Sequence, residues 1–541
     1  MSCDPDPNLN DCVLIRLPTD TEQCRQVLAA AISMFGPTTD VVLWTEIEPT
    51  QQLGELLSTM VQELADRIPA VNIDLVSEIE AQSFKPIVSV NATGDPMRDA
   101  EAILNLASVA LPERASRELS HPDSSDAVKL HKYLHGLATQ RDTARVPQMV
   151  PTIAVVAQVQ STFGAVATVC KALMNDDRVT LEIVAIESDH EHREQSTAHF
   201  IESLGYQTRD ATWLQRELAD PASPLATVLF YDPWDDLRPT SARALTVASE
   251  GVRVAYIPYG NNVGGGNHIE VAAYNLPVHQ IAWRLYCRSK TSRDLFEKHC
   301  EAGADHVHVL GMPKLDRVVN LHEINPLTVP AGKATVLWNP HFTFGPEGWS
   351  TFDRYLQPMV DYATAHPELN LIIRPHFRLL RDLPLAGVQS KKLIDFMEHA
   401  ANTLPNVMLD RSADYVGSFA AADAMVSDLS SLISEFALTK KPLCYLHKLD
   451  GPGTNADSEY FYHGVVATRW STVEQFLDDL MLNIDDIRKN LDTGADARRL
   501  LVERHFPLED GQAGARVARE IVDQLLEELD QSTADPQRKA A

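Results

Sequence analysis

Residues 424–442 read AMVSDLSSLISEFALTKKP. A short apolar run ends at Ser427, a polar turn carries Asp428, Ser430 and Ser431, and apolar residues then resume at helical spacing. This predicts a buried strand, a turn and a helix beginning at the serines. Free N–H groups at a helix start attract anions, and neighbouring hydroxyls add donors. The turn therefore has the makings of a diphosphate cradle without a glycine-rich loop. Glu435 lies one turn beyond Ser431 on the same helix face, where it could accept from a ribose or substrate hydroxyl. A plain N-cap explains the same turn, because Ser and Asp are the usual capping residues.

Outward from this stretch the rhythm repeats. ATVLWNP, LNLIIRP, NVMLD and PLCYLH read as further strands, with helices such as TFDRYLQPMVDYATAH between them. These make one doubly wound domain, residues 333–529, followed by a disordered polar tail, 530–541. Upstream, TIAVVAQV, LEIVAIE, ATVLFYD, VRVAYIPYG and HVHVLGM alternate with helices and make a second such domain, 151–321. The linkers RVPQMVP and INPLTVPAGK bound it. Residues 1–145 form a smaller α/β accessory domain with strands CVLIRL, DVVLWTE, NIDLVSE and KPIVSVN and no chemical signature. His131 and His135 there share one helix face at i, i+4, but no Glu stands between them as in a zinc protease. A solvated face is expected for them, and His121 stands apart. The fold class is thus α/β, with two consecutive doubly wound domains and function expected in the loops that follow strands.

Composition bounds the chemistry. At 541 residues the chain is about three to four domains long. Lys plus Arg is 47 against 75 Asp plus Glu, and 47 − 75 is −28. That field repels phosphate backbones, so nucleic acid is excluded as a general partner. Seven scattered Cys without a C-x-x-C pair suit reduced thiols in the cytoplasm. No basic, apolar leader and no apolar run near 18 residues occurs, which predicts a soluble protein. No cluster has metal-ligand spacing, and no cofactor is implied.

Other strand ends carry candidate groups. LNLIIRPHFRL sets His376 between Arg374 and Arg378, a set able to hold phosphate oxygens or donate a proton to a leaving phosphate. VLWNPHFTFG puts His341 at another strand end in the same half. A surface loop with scattered basic residues, or a structural His, explains either equally well. In VRVAYIPYGNNVGGGNHIE, Tyr259 and His268 are the side chains with acid–base capacity, and Gly264, Gly265 and Gly266 allow close backbone approach to a ligand or serve a flexible turn. LGMPKLD gives a turn at Gly311 and a Lys314 that could face anions, or else a hinge between domains.

Taken in order, GMPKLD, NPHF, RPHF, AADAMVSDLSSLISEFALTKKP and DGQAGAR resemble the CDP-glycerol glycerophosphotransferase family, the teichoic-acid polymerase and primase type. The resemblance covers residues 225–525. It implies a GT-B architecture of two facing Rossmann-like domains, 151–321 on the acceptor side and 333–529 on the nucleotide side. It further implies transfer of glycerol phosphate or a related polyol phosphate from a CDP-activated donor to a cell-envelope glycan or lipid-linked acceptor. Ser430 and Ser431 would then bind the donor diphosphate, His376 would contact phosphate, and Asp428 and Glu435 would support the turn and the donor. Work on lipid-linked acceptors implies a cytoplasmic protein with weak, patch-like peripheral contact at the inner face of the membrane. One departure stands out. Where the family has W-H-G-x-P-L-K, with its His as the expected base, this chain has Pro258, Tyr259 and Gly260. A neutral Tyr is a poor base at pH 7, since its reference pKa is about 10. His268 taking over, a different donor or acceptor, or loss of transfer would each account for that change. A nucleotide-sugar glycosyltransferase of the same fold and a non-catalytic binding scaffold are the rival functions.

Overall fold

The computed structural model describes four strands within the first 125 residues, then residues 126–144, 149–187, 195–344, 348–383, 388–412 and 414–534. The four strands are β1 (Cys12–Arg16), β2 (Asp40–Thr45), β3 (Ile73–Ser77) and β4 (Pro86–Asn91). They form one parallel sheet in the order β3-β2-β1-β4. All four coincide with the apolar runs read from sequence. The remainder of the accessory segment, His121 included, lies outside the described residues.

The second sheet holds β5 (Thr152–Ala157), β6 (Thr180–Ala185), β7 (Thr208–Arg209), β8 (Leu225–Phe230), β9 (Arg253–Tyr256), β10 (Arg284–Cys287) and β11 (Val307–Val309). Its order is β11-β10-β9-β8-β5-β6-β7, and every pairing is parallel. The third sheet holds β12 (Ala334–Asn339), β13 (Leu369–Ile373), β14 (Val407–Leu409), β15 (Ala424–Ser427), β16 (Leu443–Leu446) and β17 (Val465–Ala467), in the order β14-β13-β12-β15-β16-β17, again all parallel. Both are doubly wound, Rossmann-like units. Strands β5, β8 and β12 are buried along their whole length, which is why they read as continuous apolar runs. Sequence reading missed β7, β10 and β17. β7 has two residues, β17 has three and an exposed first position, and β10 opens on Arg284, which breaks the apolar pattern.

Two helices reach across the boundaries that sequence drew. Helix α1 (Asp126–Ala144) was grouped with the accessory segment, yet its Leu130 and Leu134 enter one core with Val254 and Ile281. His135 on it is exposed, as expected of a solvated face. His131 is not: its Nε2 lies 2.9 Å from the Ala282 carbonyl, and its ring meets His306 at 4.8 Å. Helix α2 (Ala167–Met174) covers the other face of the second sheet. The last helix, α4 (Ala513–Ala534), leaves the third sheet and returns to pack Val517, Ile521 and Leu525 against Val155, Val169 and Leu173. Asp316 fixes that return by accepting from the N–H groups of Ala513 and Gly514, both at 2.8 Å. A Cβ at Gly514 would stand 2.1 Å from the Thr168 hydroxyl on α2, so only glycine fits.

Arg253 on β9 joins both helices to the sheet. Buried, it meets Asp142 of α1 at 2.6 Å and Glu528 of α4 at 2.8 Å. Replacing it leaves Asp142 as an uncompensated buried charge. Arg253→Met is expected to cost about 3–5 kcal/mol, seen as a lowered Tm and earlier urea unfolding, while Asp142→Asn combined with Arg253→Met recovers part of that loss.

Candidate functional site

The carboxyl ends of β12, β13 and β15 meet at one point on the third sheet. Asn339, the last residue of β12, ties them together. Its Nδ2 donates to the Arg374 carbonyl at 2.7 Å, and its Oδ1 accepts from Ser430 Oγ at 2.8 Å. Ser430 is the N-cap residue of helix α3 (Ser431–Ala437), but its side chain makes no capping bond to the helix. The hydroxyl is spent on Asn339 instead.

Asp428 beside it is fully buried. Its carboxylate accepts from the N–H groups of His341 at 2.8 Å and Thr351 at 3.1 Å, and from the Thr351 hydroxyl. Burial outweighs these donors and pushes its carboxyl up to about 7. Asp428 thus holds the loop after β12 in place from below.

That loop presents His341. Its Nδ1 accepts from the Thr343 N–H at 3.2 Å and faces the Thr343 hydroxyl at 2.8 Å, which leaves the ring proton on Nε2. Burial, helped by Arg378, drives its pKa down to about 3, so the imidazole is neutral at any physiological pH. His376 sits 5.6 Å away, ring to ring, with its Nδ1 accepting from the Arg378 N–H at 3.2 Å. The two histidines expected at separate strand ends are therefore neighbours. Phe342 packs on His376 at 4.4 Å, and Arg378 lies over Phe342 at 4.2 Å while pairing with Asp382 at 2.9 Å. Arg374 turns away from this cluster to Asp410 at 2.5 Å and the Ser412 carbonyl at 2.7 Å.

The rest of the predicted set lies where the two Rossmann-like units touch. Glu435 is fully buried, accepting from Lys314 Nζ at 2.9 Å and from the Tyr415 hydroxyl, so neither Glu435 nor Lys314 faces solvent. Gly311 has φ +86°, and a Cβ there would meet Arg516 at 3.0 Å and Ala513 at 3.1 Å. The Gly311 turn is thus the place where the crossover meets the start of α4. Tyr259 packs against Trp234, ring centroids 5.0 Å apart and tilted by 44°; burial and the nearby Asp232 push its phenol up to about 12. The side chain of His268 lies outside the described residues.

The glycine loop approaches protein closely. Gly265 N–H donates to the Gly453 carbonyl at 3.1 Å, and Asn455 N–H donates to the Val263 carbonyl at 3.1 Å. A Cβ at Gly265 would stand 2.3 Å from the Thr454 carbonyl, and one at Gly264 would stand 2.6 Å from the Trp349 ring. Gly260 covers the start of α3, with its Cβ position 3.3 Å from Ser431. Residues 260–266 are thus a strap from the first unit onto the second, and the cleft over α3 is closed.

Residues 272–523 match the family model described as CDP-Glycerol:Poly(glycerophosphate) glycerophosphotransferase. The match takes in just under half of the chain. No curated protein is a significant match. Among solved structures, UDP-GlcNAc 2-epimerase from Neisseria meningitidis bound to UDP-GlcNAc is 13% identical with a TM-score of 0.47, covering 70% of this chain and 100% of its own. Wall teichoic acid polymerase TagF is 12% identical with a TM-score of 0.45, covering 78% and 97%. The matched segment takes in Gly311, Lys314, His341, Arg374, His376, Arg378, Asp428, Ser430, Ser431 and Glu435. Tyr259 and the strap lie upstream of it. Asn339 and Thr351, which anchor the site, were missed. Asn339 stood inside the quoted NPHF stretch, but only the fold reveals that its amide spans three strands.

The sign of the pH effect at Asp428 follows from its raised value. Between the ordinary carboxylate range and about 7 the native state holds a proton that the unfolded chain has released, so this group's contribution to stability falls as pH rises through that window. The Tm of Asp428→Asn relative to the unsubstituted protein should shift in the variant's favour from pH 5 to pH 7 and level off above it. A flat difference across melts at those pH values would contradict the assignment.

Proposed function

We propose that the protein transfers glycerol phosphate, or a related polyol phosphate, from a CDP-linked donor to a glycan or lipid-linked acceptor. The family match over residues 272–523 carries this reading, because it spans every ordered motif of the third-sheet site. An acceptor hydroxyl attacks the β-phosphorus, the P–O bond to CMP breaks, and the hydroxyl proton passes to solvent as CMP leaves. Ser430, Ser431 and the first N–H groups of α3 receive the diphosphate once the strap lifts. His376, with Arg378 beside it, supplies donors to the phosphoryl oxygens as charge develops on the leaving group. His341, neutral with its proton on Nε2, acts as a hydrogen-bond donor rather than as a base.

Tyr259 occupies the place of the family's histidine. With its phenol pushed up to about 12, it stays protonated at neutral pH. Its role in this reading is to orient the acceptor by a hydrogen bond, not to remove its proton. Among the described residues no helix is long and apolar enough to cross a membrane, and no group of three or more His, Cys, Asp or Glu side chains could hold a metal.

The test is CMP release from CDP-glycerol and CDP-ribitol, with UDP- and GDP-sugars alongside. CDP-glycerol or CDP-ribitol is expected to support turnover. Protection or turnover by a UDP- or GDP-sugar alone would favour a glycosyltransferase, and binding without turnover of any donor would favour a scaffold. His376→Ala should lower kcat/KM by about 10²-fold, as expected for a lost transition-state donor. Tyr259→Phe should cost less than about tenfold, since a positioning hydrogen bond is all that is removed.

A further inference from the structure

Any ligand that reaches the start of α3 must displace Gly260, so the two units must part for a donor to enter. Parting breaks two buried ion pairs. Arg288 follows β10 at the carboxyl edge of the second sheet and is 5% exposed. Across the cleft it meets the Asp457 carboxylate at 2.5 Å, the Asp457 carbonyl at 3.3 Å and the His505 carbonyl at 2.5 Å, over the Phe506 ring. Within its own unit it reaches Asn261 Oδ1, at 3.3 Å. The second pair is Lys314 with Glu435, and the ring under Lys314 is that of Tyr415, also from the opposite unit. In both pairs the cation comes from the first unit or its crossover and the carboxylate from the second. A crevice of about 20 Å³, room for one water, is lined by Arg288, Ser292, Asn261, Met312 and Pro313, the last next to Lys314.

When the units part, each of these cations loses the carboxylate that offsets its burial. Water or an anion must then take the carboxylate's place, and a guanidinium fork and an ammonium both suit a phosphate group. We propose that Arg288 and Lys314 form a phosphate-binding pair of the parted form, for which Asp457 and Glu435 stand in while the units are closed. Ligand and closure then compete for the same cations, so the closed form lowers apparent affinity in proportion to its population. The site itself rests on the ion pairs; which substrate supplies the phosphate rests on the transferase reading above.

Titration calorimetry with sn-glycerol 3-phosphate and, separately, CDP-glycerol tests it on the full chain. Asp457→Asn keeps the shape of the side chain but releases Arg288, and it should tighten one of the two probes at least about fivefold. Tightening of glycerol 3-phosphate assigns the site to the acceptor, and tightening of CDP-glycerol assigns it to the donor. Arg288→Gln should abolish the gain. Unchanged affinity for both probes in Asp457→Asn overturns the proposal. Melts in inorganic phosphate give a second readout that needs no opened variant. Phosphate should raise the Tm of the unsubstituted protein more than that of Arg288→Gln, and equal rises would also overturn it. A protein that passes these binding tests but releases no CMP from any CDP donor would refute the transferase reading and leave the site standing.

Discussion

The Asp316 carboxylate is the fixed point of the molecule. It sits where the chain crosses from one sheet to the other, and it holds the N–H groups that open α4. An acid at a helix start is favoured both by the unpaired N–H groups and by the dipole. Here the bond has a larger consequence, because α4 follows the third sheet in sequence but belongs to the core of the second. The crossover and the return are thus pinned side by side. How the two sheets face each other follows from that junction, and so does the geometry of everything between them.

Much of this was legible in the sequence. Long apolar runs between turn residues gave the strands that are buried on both faces, and they recur in the structure at β5, β8, β12 and β15. What failed were elements whose stability is tertiary. β10 is a four-residue strand that starts with a charged side chain, and that charge is tolerated because Arg284 reaches Gln524 of α4. His131 looked like a surface residue because its helix was read alone. The partner that buries it, the Ala282–His306 surface, is more than 150 positions away in sequence. Local pattern carries no information about contacts at that range.

The site divides in the same way. His341, His376, Asp428 and Ser430 do converge, because all follow parallel strands of one sheet and such strands end on one edge. The roles of individual groups were harder to read. A serine before a helix is ordinarily a cap, yet Ser430 bonds to a neighbouring strand end instead. Glu435 and Lys314 both looked like ligand contacts, and each is the other's counterion. Charge pairs between units leave no trace in either local sequence. Asn339 shows the converse: its side chain alone secures two further strand ends, and no spacing rule marks it.

The return of α4 also orders events in time. Val155 and Val169, in the first third of the chain, share a core with Val517, Ile521 and Leu525 near its end. During synthesis the first Rossmann-like unit therefore emerges with one face of its sheet covered by α2 but not yet by α4, which begins 513 − 309 = 204 residues after the last strand of that sheet. The second unit has no such debt for its own sheet. Assembly is consequently expected to run against chain order, with the later unit settled first and the earlier one sealed last.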